Sequence, residues 1–397
     1  MTYTRPVWAE ISRRKAIANY RLLRRLAAAD TELMTVVKAN AYGHGAAALA
    51  PLLAAEGARW SGVTCVEEAV ALRTAFRQSP YPDVRILVMS GLWKGEAETV
   101  IRNGLTPSVW EPLHLDLLEA AARELGVAAQ GFPVWLEIDT GMSRQGVQVE
   151  KLDGILARFT AESPLRLEGV MTHFHSPEEL GASATREQAE RFVSAVDTIY
   201  ERGLRPEILS AGNSANVLVQ KETVAITNAA RQHGANFMLR AGLALYGYSP
   251  RFTGAPDAAQ AAGELEPVLA WKTRVVSLRE IQAGEAAGYN ATFRAKRPTR
   301  LALLPVGYAD GLNRLLSGRG EVLIRGKRAP IAGRVSMDQT IVDVTEILGV
   351  GIGDEAVLIG QQGEEKITAD DMATLAGTIA YEVLCAIGAR VPRVMVD

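Results

Sequence analysis

ELMTVVKANAYGHGAAALAPLLAAEGARWSGVT, residues 32–64, carries the pattern on which the fold turns. A β-rich run, ELMTVVK (32–38), leads through a Gly-punctuated loop into an Ala/Leu-rich helical stretch and then into a second β-rich run, RWSGVT (59–64). A strand, a helix and a second strand in this order imply parallel strands joined by helical crossovers. The same alternation continues outward to about residue 245, with further strand candidates VRILVM (84–89), LTPSVW (105–110), PVWLEID (133–139), RLEGVMTH (166–173), PEILSA (206–211) and NFMLRA (236–241). Eight strands of this kind predict an α/β fold, a (β/α)8 barrel of TIM type.

A barrel builds its active site where strands end and the βα loops begin. The reactive side chains cluster at those ends: Lys38 closes the first strand, Glu137 and Asp139 the fifth and His173 the sixth. Asn213 and Ser214 follow the seventh strand, and Arg240 sits at the eighth. This supports an enzyme without naming its chemistry. SPRFTGAPDAAQAAGELEP (249–267) is rich in Gly, Pro and Ala, has no periodicity and reads as a linker. Beyond it, AWKTRVVSLREI, TRLALLPVGY, GEVLIRG, QTIVDV and EAVLIG read as strands joined by Gly-containing turns without crossover helices. Thr368 and Asp371 resemble a capping box that opens a helix running to about residue 387. The expected division is a barrel domain over residues 1–248, with 1–12 able to pack on the other domain, and a mostly β domain over 249–397.

The chain of 397 residues is 48% hydrophobic and 22% charged, which supplies a large core, and its net charge of -2 gives no excess of cations for a nucleic-acid backbone. MTYTRPVWAEISRRK at the N-terminus has no apolar core of a signal peptide, and no stretch is long and uncharged enough for a membrane span, so a cytoplasmic protein without membrane or nucleic-acid partners is expected. Cys65 and Cys385 read as buried small hydrophobes rather than a redox pair. GVGIGD (349–354) lacks the last glycine and the following helix of a dinucleotide loop and reads as a turn.

VVKANAYGHG (36–45) is the segment richest in chemistry. A lysine at a strand end is by itself a surface residue, but within an apolar run it loses its proton more easily and can form an imine with an aldehyde. Tyr42, His44 and the glycines 43 and 45 let the backbone approach an anion. Together with EIDTGMSRQG (137–146), GVMTHF (169–174), SAGNSAN (210–216), LRAGLALYG (239–247), GYNATF (288–293), LPVGYADG (304–311), GRVSMDQ (333–339) and AYEVLCAIGARVPR (380–393), it resembles the alanine racemase family over nearly the whole chain.

The resemblance implies pyridoxal 5'-phosphate held by Lys38 as an imine, with Lys38 as the base for the D-isomer. Tyr289 would be the base for the L-isomer, reaching the other subunit's site, and a racemase does need a group on each face of a planar carbon. The same resemblance pairs Arg240 with the pyridine nitrogen, held by His173. Arginine only donates, so the ring would stay unprotonated and be a weaker electron sink, which suits racemisation. Phosphate would fall to Ser214, Tyr42, Tyr381 and the amides of Gly242 and Leu243, with Asn213 in support. Arg144 would orient the cofactor's phenolic oxygen and the substrate carboxylate, which the Met337 amide of the partner would also contact.

Many relatives carry a carboxylated lysine at the position of Glu137; here the carboxylate is built in and is expected to position Arg144, through a bridging water where its shorter chain falls short. Ser336 replaces a cysteine often found there, and His175 replaces a small residue. His173 and His175 share one face of an extended segment, a spacing that can hold a metal, but no further ligand motif accompanies them and no metal is expected. The implied activity is interconversion of L- and D-alanine by a homodimer whose sites span the interface, supplying D-alanine for peptidoglycan. Serine or a broader range of amino acids is the alternative substrate. A related decarboxylase or lyase would place a carboxylate against the pyridine nitrogen, and a non-catalytic carrier would not need the added β domain.

Overall fold

The computed structural model describes residues 4–219, 221–253 and 256–397. The chain forms two compact units, one of Ala16–Ala41 and Ala46–Glu266, the other of the described residues up to Lys15 with Tyr42–Gly45 and Pro267–Asp397.

In the first unit, eight strands follow one another in parallel: Thr31–Val36, Trp60–Val63, Arg85–Val88, Thr106–Val109, Phe132–Asp139, Leu165–Met171, Ile208–Ser210 and Asn236–Ala241. Each pairs with the next, and the eighth returns to the first through Phe237 opposite Thr31, so the sheet closes into the expected barrel. All eight predicted strands are present. Their inward side chains are large: Met34, Trp60, Leu87, Trp135, Met171, Ile208 and Met238 form one buried cluster that fills the interior. Trp135 needs room that a neighbour must yield. It lies opposite Gly169, where a Cβ would sit 2.4 Å from its ring, and the register of strand five slips beside it. Helices such as Ala46–Ala55, Val66–Arg77, Pro112–Glu124 and Ser183–Glu201 follow their strands and bury an apolar stripe.

Several expectations require correction, among them the burial of both cysteines, since Cys65 is half-buried and Cys385 exposed. The stretch 249–267 is not a structureless linker, because Pro256–Gly263 is helical: Pro at the first position and an Ala-rich run favour a helix over a loop. Gly254 and Ala255 of that stretch lie outside the described residues. The terminal helix is two, Ala369–Ala376 and Ala380–Ala386, divided by Gly377 at φ 72°, a left-handed cap that ends the first. The capping box at its start is present, with Asp371 N–H donating to Thr368 Oγ1 at 3.1 Å and Thr368 N–H to Asp371 Oδ2 at 2.8 Å.

The second unit is mostly β. Val7–Ser12 lies between Leu269–Arg274, antiparallel, and Arg393–Val396, parallel, in a sheet that also contains Glu355–Gln362, Glu321–Ile324 and Lys327–Pro330. Ser277–Ile281, Thr299–Leu304 and Thr340–Asp343 form a second sheet, so AWKTRVVSLREI is two strands rather than one. A two-stranded ribbon, Ala286–Ala287 with Phe293–Arg294, carries Tyr289 at its tip. Among the described residues no helix is long and apolar enough to cross a membrane.

Candidate functional site

Strand one ends at Val36, two residues before its predicted end, and the Val37 N–H still reaches Gly62 O at 2.8 Å. Lys38 then opens a turn of unusual hand: Ala39, Asn40 and Ala41 have φ of 51°, 52° and 57° with ψ near 50°. Each such residue crowds its Cβ against the next carbonyl, at roughly 1–2 kcal/mol apiece. Runs of this kind persist only where the surroundings hold them, and they concentrate at functional sites.

Strand five presents Glu137 and Asp139 at the same end of the barrel. The Asp139 carboxylate accepts the N–H groups of Gly141 and Ser143 at 2.9 and 3.0 Å, curling the loop so that Gly146 packs against the strand end, where a Cβ would sit 2.6 Å from the Asp139 nitrogen. Arg144 is thereby brought back beside Glu137. Glu137 is buried, and its Oε2 accepts from Gln145 Nε2 at 2.6 Å; Gln145 Nε2 also donates to Met89 O at 2.9 Å. The curl turns Gln145 inward and leaves Arg144 exposed, so Glu137 hydrogen-bonds Gln145 directly, while Arg144 acts on it through charge. Burial raises the Glu137 carboxyl to about 7, with the charges of Arg240 and Arg144 opposing the rise.

Arg240, on strand eight, is buried. It donates to Ser210 Oγ at 2.8 Å, to Thr172 O at 2.8 Å and to His173 Nδ1 at 3.1 Å. Desolvation lowers it to about 10, with Glu137 opposing, so it remains a cation at neutral pH. A guanidinium can only donate, so Nδ1 of His173 must accept and the ring proton resides on Nε2. Burial, then the charges of Arg240, Arg144 and Lys38, push His173 down to about 3, so it stays neutral. Lys38, Glu137, Arg144, His173 and Arg240, from strand ends one, five, six and eight, thus act on one another electrostatically.

The mouth also carries hydrogen-bond donors. Asn213 caps the short helix Ser214–Leu218, its Oδ1 taking the Ala215 N–H at 2.8 Å while its own N–H goes to Asn216 Oδ1 at 3.2 Å. Ser214 Oγ accepts the N–H groups of Gly242 and Ala244 at 3.0 and 3.1 Å. A hydroxyl that accepts twice points its one proton elsewhere, and among the described residues no group takes it, nor the N–H of Leu243. Of the predicted amides, that of Gly242 is bound to Ser214, and Ala244 joins it. An adjacent cavity of about 640 Å³ is lined by Trp110, Asp139, Ser143, Arg144, Gln145 and Lys151; Lys38 is not among its lining residues.

In the other unit, Tyr42 and Tyr381 face each other with ring centroids 6.0 Å apart, and burial beside Tyr381 and Cys385 raises the Tyr42 phenol, keeping it a donor. Tyr289 and Met337 are exposed, and Met337 O accepts the Ala309 N–H at 3.0 Å, while no acceptor among the described residues takes the Met337 N–H. His175 is exposed and turned to Ser176 at 2.9 Å; among the described residues no group of three His, Cys, Asp or Glu could hold a metal.

Sequence reasoning did not find Gln145, Ser210, Thr172 or the Ala244 amide. Each nevertheless left a trace, since Gln145 lies inside EIDTGMSRQG, Thr172 inside GVMTHF, Ser210 inside SAGNSAN and Ala244 inside LRAGLALYG.

Residues 11–250 match the model of the alanine racemase N-terminal domain and residues 268–395 that of its C-terminal domain. The chain belongs to the alanine racemase family. It is thus an enzyme, an isomerase of the amino acid racemase class. It is 41% identical, over 98% of its length and 97% of the relative's, to the alanine racemase of Symbiobacterium thermophilum. The crystal structure of alanine racemase from Streptomyces lavendulae, a producer of D-cycloserine, is 35% identical, with a TM-score of 0.87 over 100% of this chain and 98% of that one. Alanine racemase from Bartonella henselae, with covalently bound pyridoxal phosphate, is 29% identical, with a TM-score of 0.81 over 98% of this chain and 99% of that one.

Proposed function

We propose that the chain interconverts L- and D-alanine in the cytoplasm with pyridoxal 5'-phosphate, supplying D-alanine for peptidoglycan. The observation that carries this reading is Arg240: a buried cation that can only donate, held by Ser210, Thr172 and a neutral His173, in the electrostatic neighbourhood of Lys38.

The residues of the barrel mouth fit the cofactor. The Ser214 hydroxyl and the Leu243 amide suit a phosphate, and by the likeness to the family Tyr42 and Tyr381 would add phenol donors. Bound at Lys38, the cofactor would withdraw electrons from the substrate's α-carbon. Arg240 would keep the ring nitrogen unprotonated, limiting that withdrawal so that a proton returns quickly and side reactions are few. Lys38 would move the proton on one face, and Tyr289 of a partner subunit the proton on the other. The exposure of Tyr289, at 68%, and of Met337 supports their service to a second chain. Arg144, uncommitted to Glu137, would take the substrate carboxylate, aided by the partner's Met337 N–H. Glu137 would supply the balancing negative charge between Arg144 and Arg240.

Borohydride reduction of the cofactor-loaded protein followed by peptide mapping tests the assignment. Label on Lys38, with loss of optical activity from L-alanine, is expected; label elsewhere or none overturns it.

A further inference from the structure

We propose that Glu68 is a positioning residue for Lys38, acting through the left-handed turn that follows it. The inference rests on the assignment of Lys38 as the point of cofactor attachment. Glu68 lies thirty positions along the chain, in the first turn of helix Val66–Arg77. Its Oε1 accepts the backbone N–H of Asn40, the second residue of the left-handed turn, at 2.9 Å. Its Oε2 is buried and has no hydrogen-bond partner among the described residues. A carboxylate oxygen withdrawn from water without a partner is unfavourable, so Glu68 is not held there by an ion pair or a network; the bond to Asn40 is what the side chain does.

That bond falls where the backbone needs it. Residues 39–42 carry side chains in a conformation that suits glycine, and four such residues in a row revert to an ordinary extended or right-handed path unless restrained. Hydrogen bonds restrain the turn. Ala41 N–H reaches back to Val37 O at 2.7 Å, Asn40 Oδ1 accepts the Ala46 N–H at 2.9 Å, and Glu68 grips the peptide between Ala39 and Asn40 from outside the segment. Lys38 sits between the last sheet bond, at Val37, and this turn. If the turn relaxes, the Cα–Cβ vector of Lys38 swings and the amine leaves its place among His173, Arg144 and Arg240. A displacement of about 1 Å at a reacting group lowers rates by up to roughly a hundredfold.

The test compares Glu68→Ala, Glu68→Gln and the double variant Glu68→Ala with Ala39→Gly in the full chain. Two readouts are used: hydrogen exchange of residues 37–46 in cofactor-free protein, and the rate at which added pyridoxal 5'-phosphate becomes attached at Lys38, followed by absorbance and by reductive mapping. Glu68→Ala is expected to speed exchange in the turn and to slow attachment by about tenfold or more. Glu68→Gln keeps a carbonyl acceptor and is expected to stay within about twofold of the parent. Ala39 is exposed, and glycine there removes the left-handed crowding, so the double variant is expected to recover much of the lost rate. Should Glu68→Ala not fold, Glu68→Asp, one methylene short of the Asn40 N–H, makes the same comparison. Attachment at Lys38 with equal rates and equal exchange in parent and Glu68→Ala overturns the positioning role alone. Failure of the parent itself to label at Lys38 overturns the cofactor assignment and this role with it.

Discussion

Glu137 is a carboxyl whose surroundings oppose its charge. Raised from 4.5 to about 7 by burial, it binds its proton more tightly folded than unfolded. Between about pH 4.5 and 7 the native state therefore holds more protons than the unfolded chain, and stability from this group falls as pH rises through that window. Glu137→Gln removes the titration, so urea midpoints measured across the window are expected to decline less steeply than in the parent; parallel profiles would show that the carboxyl titrates normally. The same variant is expected to lower cofactor affinity and turnover, because the charge between Arg144 and Arg240 is gone. At Ser214 the loss is of a different kind. Ser214→Ala removes a phosphate donor and strips Gly242 and Ala244 of their acceptor, at about 1–3 kcal/mol, or roughly five- to 150-fold in affinity. Fluorescence titration of the cofactor-free variant with pyridoxal 5'-phosphate measures it, and an unchanged Kd would remove Ser214 from the phosphate site.

Among the elements, strand five determines how the barrel interior closes. Trp135 occupies space that exists only because residue 169 has no side chain. Gly169→Ala forces the indole or the strand to move, and overpacking of this kind costs about 1–3 kcal/mol. Thermal or urea unfolding is expected to show that loss, and retention of full stability would mean that the interior is looser than its packing implies. Strand ends were legible to within two residues because period and turn chemistry mark them: Glu137 and Arg240 stand on their strands as read, while Lys38 and His173 lie two residues beyond the last strand residue. The helix Pro256–Gly263 was missed because Gly and Pro at its flanks read as punctuation, although its interior is Ala-rich. The left-handed turn was invisible for the opposite reason. KANA contains no glycine, so nothing local announces positive φ, and its restraint by Glu68 is a contact across the chain.

For the whole molecule, the exposure of Tyr289 supports the proposal that a second copy completes each site. Mixing Lys38→Ala protein with Tyr289→Phe protein under subunit exchange tests this directly. Each mixed dimer would combine one doubly defective site with one intact site, so random exchange is expected to restore about a quarter of parental activity from two inactive preparations. No recovery despite demonstrated exchange would place both bases in one chain. Tyr42–Gly45 shows how far the wider fold reaches into a local motif. Gly43, at φ 81°, leaves no room for a Cβ, which would sit 2.3 Å from Leu384 O, and its own carbonyl accepts from Arg393 Nε at 2.7 Å.

The amino-acid order alone determined the eight strands, the mostly β second unit and the residues at the strand ends, because side-chain periodicity and turn chemistry are properties of neighbours in sequence. Tertiary structure decided which of those residues engage one another. Gln145 hydrogen-bonds Glu137, His173 is kept neutral by burial and then by the charge of Arg240, and the Glu68 carboxylate accepts the Asn40 N–H in the turn after Lys38. Hydrogen bonding and desolvation depend on distances of a few ångströms between segments tens of residues apart, and only the closed barrel sets them.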